Sequence, residues 1–457
     1  MTTNRLHIMR RAIGLRTRLR LSAAGWIFLL VFLAFLPALA LRDFTPDNEL
    51  RYLSIADEAI SSGSVFCFTN HGAIYADKPP LYLWITMLGR LLFGNNCMFF
   101  LGLFSLVPML LVGKIMNDWV RPYLSPQARR CALLMLFTCG YFPFLGLTLR
   151  MDMLMTLFIV LALREVYRMT TSSVTTRQNA LLGVYLFAGL FTKGPLGVLI
   201  PLLTTILFLL WQRRLGSFFR IWGWTTWGVL LGGCMLWWGA VYLEWGNADY
   251  LNNLLFHQTI DRASQAFTHA RPWWYYIVAM WYVMAPWSLI FAWLMIRRHR
   301  TLGTSAIRRI LFATFAVTLI SLSCFSSKLQ VYLLPVIPFV VYLGAMLIDD
   351  LKRSRIVRII DRIALTLIGI IFIAGCLLPL ANPHIGYGTV CREIEALHPK
   401  AVYVDSNVRR GENIDAYFEV PVKVVNSSDP DFRQPANTVL ILKGEKGKKI
   451  TYKYKAK

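Results

Sequence analysis

The stretch Tyr75–Trp84, YADKPPLYLW, sets an acid and a base before two prolines, at the start of an apolar, aromatic segment. Charges are costly at such a boundary, and Pro79-Pro80 forbids an ordinary helix interior. Three other turns repeat the pattern. RMD puts Arg150 beside Asp152, TKGP carries Lys193, and FSSKLQVYLLP carries Lys328 with Tyr332 one turn further on. Cations gathered at a dry membrane edge would hold the phosphate of a lipid headgroup. The segment before them, 43–80, adds Asp43, Asp47, Glu49, Arg51, Asp57 and Glu58, while 244–273 adds His257, Asp261, Arg262, His269 and Arg271. Singly, each has a plain structural reading: snorkelling lysines, a helix-end ion pair, loop histidines, and Trp273-Trp274 as interfacial anchors. Their coincidence on one face is what favours a site.

What must bring them together is a set of membrane helices. The chain has 457 residues, 56% of them hydrophobic and 16% charged, with mean hydropathy +0.51. Apolar runs of about 18 residues or more recur along it, as membrane spans require. Expected spans are 21–42, 97–116, 131–149, 151–169, 179–192, 195–211, 221–243, 274–296, 309–325, 329–348 and 359–380, eleven in all, or thirteen with other boundaries. The arginine-rich start runs into a long apolar stretch, so it reads as a retained first span and not a cleaved leader. Segment 81–94 is short and broken by Arg90, and charge decides its status. If it lies along the interface, 26 basic residues fall inside and eight outside before residue 381. If it crossed, the bias would reverse, against the positive-inside rule. The expected topology has the N-terminus inside and the C-terminus outside. The net charge of +24 thus reads as an orientation signal, with no nucleic-acid partner implied.

The first outer loop, 43–94, contains an amphipathic helix: Tyr52, Ile55, Ala56, Ala59 and Ile60 form its apolar stripe. From residue 381 the composition changes. GTVCREIEALHP suits a helix, and AVYVDS, VPVKVVN and NTVLILKG suit strands, giving a small α/β domain over 381–457 beside a membrane domain over 1–380. The eight cysteines form no CxxC pair; Cys67 and Cys391, both placed outside, are the pair open to a disulfide.

PDNELRYLSIADEAI, YADKPPLYLW, RMDMLMTLF, LFTKGPLGVLIP, HARPWWYY and FSSKLQVYLLPVIP, in that order, resemble the integral-membrane C-type glycosyltransferases. Among these the likeness is to the lipid A aminoarabinose transferase and the protein O-mannosyltransferases. It covers residues from about 40 to 345. The resemblance implies a polytopic helical fold with a small soluble C-terminal domain, in the cytoplasmic membrane of a bacterium, and a polyprenyl-phosphate sugar as donor. The acceptor would be lipid A, another envelope glycan or a protein. The family's acidic PDE-x-RY element falls on Pro46–Tyr52 with one extra residue, so Asp47 and Glu49 are both candidates for the catalytic carboxylate. Asp152, grouped with them as a catalytic candidate, would orient Arg150 or the first loop. The family's acid before the Lys-Pro-Pro becomes Asp77, which with His257 or His269 would hold a divalent metal; no organic cofactor is implied.

In that chemistry an acceptor oxygen attacks the anomeric carbon, helped by Asp47 or Glu49 as general base. Arg51, Lys78, Lys193 and Lys328 stabilise the departing lipid phosphate, and Tyr332 lines its pocket. The competing class is a flippase for a lipid-linked saccharide. That class should show polar residues or broken helices at mid-membrane and repeated halves, whereas here the polar residues crowd one face.

Overall fold

The computed structural model describes residues 22–94, 97–255, 270–445 and 449–457. Its longer helices are α1 (Ala23–Leu41), α2 (Glu49–Ser62), α3 (Leu81–Phe93), α4 (Met98–Trp119), α5 (Pro126–Phe137), α6 (Tyr141–Gly146), α7 (Asp152–Thr171), α8 (Thr176–Lys193) and α9 (Leu196–Trp211). They continue with α10 (Trp224–Trp245), α11 (Tyr275–Val283), α12 (Ser288–Arg297), α13 (Ala306–Cys324), α14 (Ile337–Asp350), α15 (Ser354–Ile385) and α16 (Gly388–Glu395). Among the described residues, six helices are long and apolar enough to cross a membrane, or seven if α11 and α12 form one bent span. The other expected spans are helical too, but shorter or more charged. Of these, α7 is the most enclosed by protein, while α8 and α9 keep part of their surface exposed.

Two expected spans, 131–149 and 274–296, break at the same place. Gly140, which caps the start of α6, has φ 25°, and its N–H donates to the Ala285 carbonyl at 2.8 Å, in the gap between α11 and α12. A Cβ on Gly140 would sit 2.6 Å from the Val283 carbonyl oxygen, so no other residue fits. The two breaks therefore lock together. α14 fills the centre of the bundle: every residue from Ile337 to Ile348 is buried.

Segment 81–94 becomes α3, whose 13 residues extend roughly 20 Å, short of the roughly 30 Å core. It packs on α2, whose Leu50, Leu53, Ile55, Ala56 and Ala59 are buried, and Gly63 stops α2 in the left-handed region at φ 73°. β1 (Thr69–Asn70) and β2 (Ala73–Ile74) form a hairpin between α2 and α3, held by Glu58, which accepts from the Thr69 hydroxyl (2.6 Å) and the His71 and Gly72 amides.

The C-terminal region is a four-stranded sheet of order β4-β3-β5-β6, made of β3 (Ala401–Asp405), β4 (Val422–Val425), β5 (Thr438–Lys443) and β6 (Ile450–Lys455). β3 runs parallel to β4 and β5, and β6 antiparallel to β5. The expected strands coincide with β3, β4 and β5. β6, ITYKYK, went unread because its alternation of lysines with apolar residues lies in a basic tail. A 3-10 turn, Gly411–Tyr417, faces α2 and shares its apolar cluster. Cys67 and Cys391 are free thiols buried in different clusters, so the disulfide left open by the sequence is not formed.

Candidate active site

α8 and α9 form a tight hairpin. A Cβ on Gly197 would lie 2.3 Å from the Gly189 carbonyl carbon, so the helices touch backbone to backbone, and Gly194 turns the corner at φ 99°. Lys193, the last residue of α8, is thereby fixed at the tip, where a cation also suits the helix C-terminus. Asp152 opens α7, where an acid suits the N-terminus. Lys193 ion-pairs with Asp152, whose other oxygen accepts from the Arg150 Nε at 3.0 Å. Lys193 is 6% exposed, Asp152 1% and Arg150 23%, so two cations share one buried acid. The Lys193 ammonium also lies 4.8 Å from the centre of the Tyr332 ring, which the 3-10 turn Gln330–Val336 presents.

Asp77 and Lys78 reach the same place by a different route. The Glu244 carboxylate at the end of α10 accepts the amides of Val65, Phe66 and Cys67 at 2.8–3.0 Å. Tyr250 receives the Phe68 amide and donates to the Tyr75 carbonyl at 2.9 Å. The loop is thus pinned on both sides of the hairpin, and Pro79-Pro80 leads it into α3.

The result is a cavity of about 350 Å³. Its polar side is Asp77, Lys78, Lys193, Ser327 and Tyr332; its apolar side includes Leu196, Leu199, Trp237, Trp238, Leu322 and Phe325. The indole N–H groups of Trp237 and Trp238 are buried without an acceptor among the described residues, a costly state unless a ligand supplies one. Trp237 and Trp238 were not singled out as site residues; the WW pair inside a span, away from the interfacial belt, was the available signal.

Other expected residues lie elsewhere. Glu49 is buried, takes both guanidinium nitrogens of Arg42 at 2.7 Å, and accepts the Thr45 and Leu149 amides, each at 2.7 Å. Burial works against its ionisation, but Arg42 and these amides outweigh it and hold the carboxyl below its ordinary value. Every lone-pair direction is taken, which corrects its reading as a general base: Glu49 ties α1, α2 and the approach to α7 together. Asp47 turns the other way, into a two-bond ion pair with Arg409 of the C-terminal domain at 2.8 and 2.9 Å. It does not line the cavity. Asn48, between them, accepts from Arg51 at 3.2 Å, and the Arg51 guanidinium sits 5.5 Å from the Tyr75 ring centre. Arg51 is absent from the described lining. Lys328 is 3% exposed and donates to the carbonyls of Arg271 and Phe325. These bonds fasten the loop, and Lys328 is not among the described lining of the cavity. His257 and His269 lie outside the described residues, as do Asp261 and Arg262. Among the described residues no group of three His, Cys, Asp or Glu side chains could hold a metal ion.

Residues 77–238 match the family described as dolichyl-phosphate-mannose-protein mannosyltransferase. The undecaprenyl phosphate-alpha-4-amino-4-deoxy-L-arabinose arabinosyl transferase of Pseudomonas savastanoi pv. phaseolicola is 30% identical over 369 residues, which span 76% of this chain and 66% of that protein. A second such transferase, from Pseudomonas fluorescens, is 27% identical over 389 residues, covering 79% and 63%. The chain spans just under two thirds of the length of these relatives. In fold it matches ArnT from Cupriavidus metallidurans bound to undecaprenyl phosphate, with TM-score 0.73 at 17% identity over 89% of this chain and 87% of that one. The archaeal oligosaccharyltransferase AglB from Archaeoglobus fulgidus, in complex with an inhibitory peptide and a dolichol-phosphate, matches at TM-score 0.52 and 10% identity, over 87% and 64%. The fold is that of a multi-pass membrane glycosyltransferase. In sequence the chain is similar to the aminoarabinose transferases and, over residues 77–238, to the mannosyltransferase family.

Proposed function

We propose that the chain transfers a sugar from a polyprenyl-phosphate donor to an envelope acceptor, in the cavity between the first loop and the α8–α9 hairpin. The observation that carries this is the cavity's division: two lysines and a tyrosine on one side, a wall of leucines, tryptophans and phenylalanine on the other. A lipid phosphate needs both. The curated relatives named above are transferases of an undecaprenyl phosphate-linked sugar, which supports the same donor class. The charge bias of the loops supports a cavity on the outer face with the N-terminus inside.

The donor phosphate sits between Lys78 and Lys193. As the bond from the anomeric carbon to the phosphate oxygen breaks, that phosphate gains charge, and the two ammonium groups stabilise it. Asp152 and Arg150 hold Lys193 in place and exclude the rotamers that would withdraw it. Asp77, the one carboxylate in the described lining, takes the place first assigned to Asp47 or Glu49: it orients the acceptor and accepts its proton. The acceptor is lipid A, another envelope glycan or a protein side chain. A divalent metal would draw on Asp77 as well, but the described residues alone do not form its site.

Turnover of undecaprenyl-phosphate sugar in membranes tests this. Lys193→Ala should lower it by about 10²–10³-fold, the loss expected when one charge-stabilising contact is removed. Wild-type turnover at normal membrane abundance in that variant would sink the reading.

A further inference from the structure

A second cavity, of about 380 Å³, opens at the other end of the bundle, between α1, α4 and α5. α1 begins there at Ser22, while its far end, Arg42, meets Glu49 and the sulfur of Met98 on the first-loop side. Nineteen residues at 1.5 Å each put those two ends roughly 28 Å apart, the thickness of a bilayer core.

The lining holds four bases, Lys114, Arg121, Arg129 and Arg130, and one acid, Asp118. Asp118 pairs with Lys114 at 2.6 Å, and Arg130 pairs with Asp361 of α15. Arg121 and Arg129 have no carboxylate partner among the described residues. The Nε of Arg129 is buried and has no acceptor there. A guanidinium N–H in that state has lost water and gained nothing. Two helix starts point the same way. Ala23 and Ala24, in the first turn of α1, line the cavity, and α5 starts at Pro126 on the cavity wall with no acid in its first turn and Arg129 close behind. Bases near a helix N-terminus oppose its dipole, and an anion between them would reverse that penalty. Phe28 and Leu133 complete the lining on the apolar side.

We propose that this cavity binds the phosphate of an anionic phospholipid from the leaflet opposite the first loop. The apolar wall suits a headgroup that arrives with its chains still in the bilayer, and basic pockets between membrane helices recognise such headgroups. The site is separate from the donor cavity, and its occupancy does not depend on the reaction.

Full-length protein in detergent, titrated with phosphatidylglycerol, phosphatidylcholine or inorganic phosphate and followed by native mass spectrometry, tests it. Phosphatidylglycerol should bind at least about tenfold more tightly than phosphatidylcholine, and Arg121→Gln with Arg129→Gln should erase that preference. Arg129→Lys should keep part of it, and Arg213→Gln with Arg214→Gln, at the same end of the bundle, should change nothing. If the double variant fails to elute as a single species, the single Arg121→Gln and Arg129→Gln variants carry the comparison. Equal binding of the two lipids, an unchanged preference in the Arg121 and Arg129 variants, or inorganic phosphate competing as tightly as the lipid would each overturn the proposal.

Discussion

The two halves of the first loop carry similar residues and put them to opposite uses. In residues 43–58 each carboxylate serves the protein itself: Asp43 accepts from Gly388 and Tyr417, Asp47 from Arg409, Glu49 from Arg42, and Glu58 from the hairpin. In residues 77–78 the acid and the base both face a cavity. The difference is set by what lies opposite. The first half faces the C-terminal domain and the end of α1, which supply complementary donors. The second half faces the gap between the hairpin tip and α10, which supplies an aromatic wall and Lys193. A carboxylate's identity therefore says little about its task until its partner is known.

The largest effect should come from breaking the structural half. Glu49→Ala leaves the Arg42 guanidinium buried without its partner, a change typically costing about 3–5 kcal/mol. The unfolding midpoint in detergent should fall steeply, while turnover per folded molecule stays near wild type. If Glu49→Ala keeps its midpoint and loses turnover, the division between the halves is wrong and Glu49 is the base after all.

Lys78→Ala probes the other half. Its turnover should drop by about 10²–10³-fold, equivalent to about 3–4 kcal/mol of barrier, with little change in the unfolding midpoint. Lys78→Arg should restore part of the rate. A variant that loses stability and rate together would put Lys78 with the structural set.

Much of this was legible before any coordinates. The helical membrane class, the amphipathic α2, the short α3 and the small α/β region all follow from period and length, which are local properties of the chain. The cationic turns at Lys78 and Lys193 were legible because a base at a span's edge is conspicuous. What could not be read was partnership. Arg409 lies 362 residues from Asp47, and nothing local marks it as the group that occupies that carboxylate. Lys328 shows the same limit in reverse: its sequence setting matches that of Lys193, yet its ammonium ends on backbone carbonyls. Burial and hydrogen-bond saturation decide such cases, and both are properties of the assembled chain.

The Asp47–Arg409 pair sharpens the contrast with Glu49. Its side chains are 45% and 78% exposed, so water competes for both. Arg409→Ala should cost no more than about 1 kcal/mol in unfolding and leave turnover nearly unchanged. Asp47→Asn should behave alike. A hundredfold loss of turnover confined to Asp47→Asn would return that carboxylate to the chemistry.

The smallest effect is one of pH, at the middle of α2. Burial pushes the Asp57 carboxyl up to about 6, although Arg90 at 2.8 Å pulls the other way and the nearby Asp415 adds to the rise. A raised carboxyl means that the folded arrangement favours the protonated form. Its contribution is fully present below the unfolded value near 4 and is lost as pH climbs through 6. Asp415 is raised as well and acts in the same direction, whereas Glu58, which is lowered, acts in the opposite one. Between pH 4.5 and 7 the wild-type unfolding midpoint should therefore fall relative to that of Asp57→Asn. Asp57 keeps a quarter of its side chain in solvent, so the difference should amount to about 1 kcal/mol or less. Parallel profiles for the two proteins would show that the Arg90 pair prevails over burial, and that this part of the loop is as firmly satisfied as Glu49.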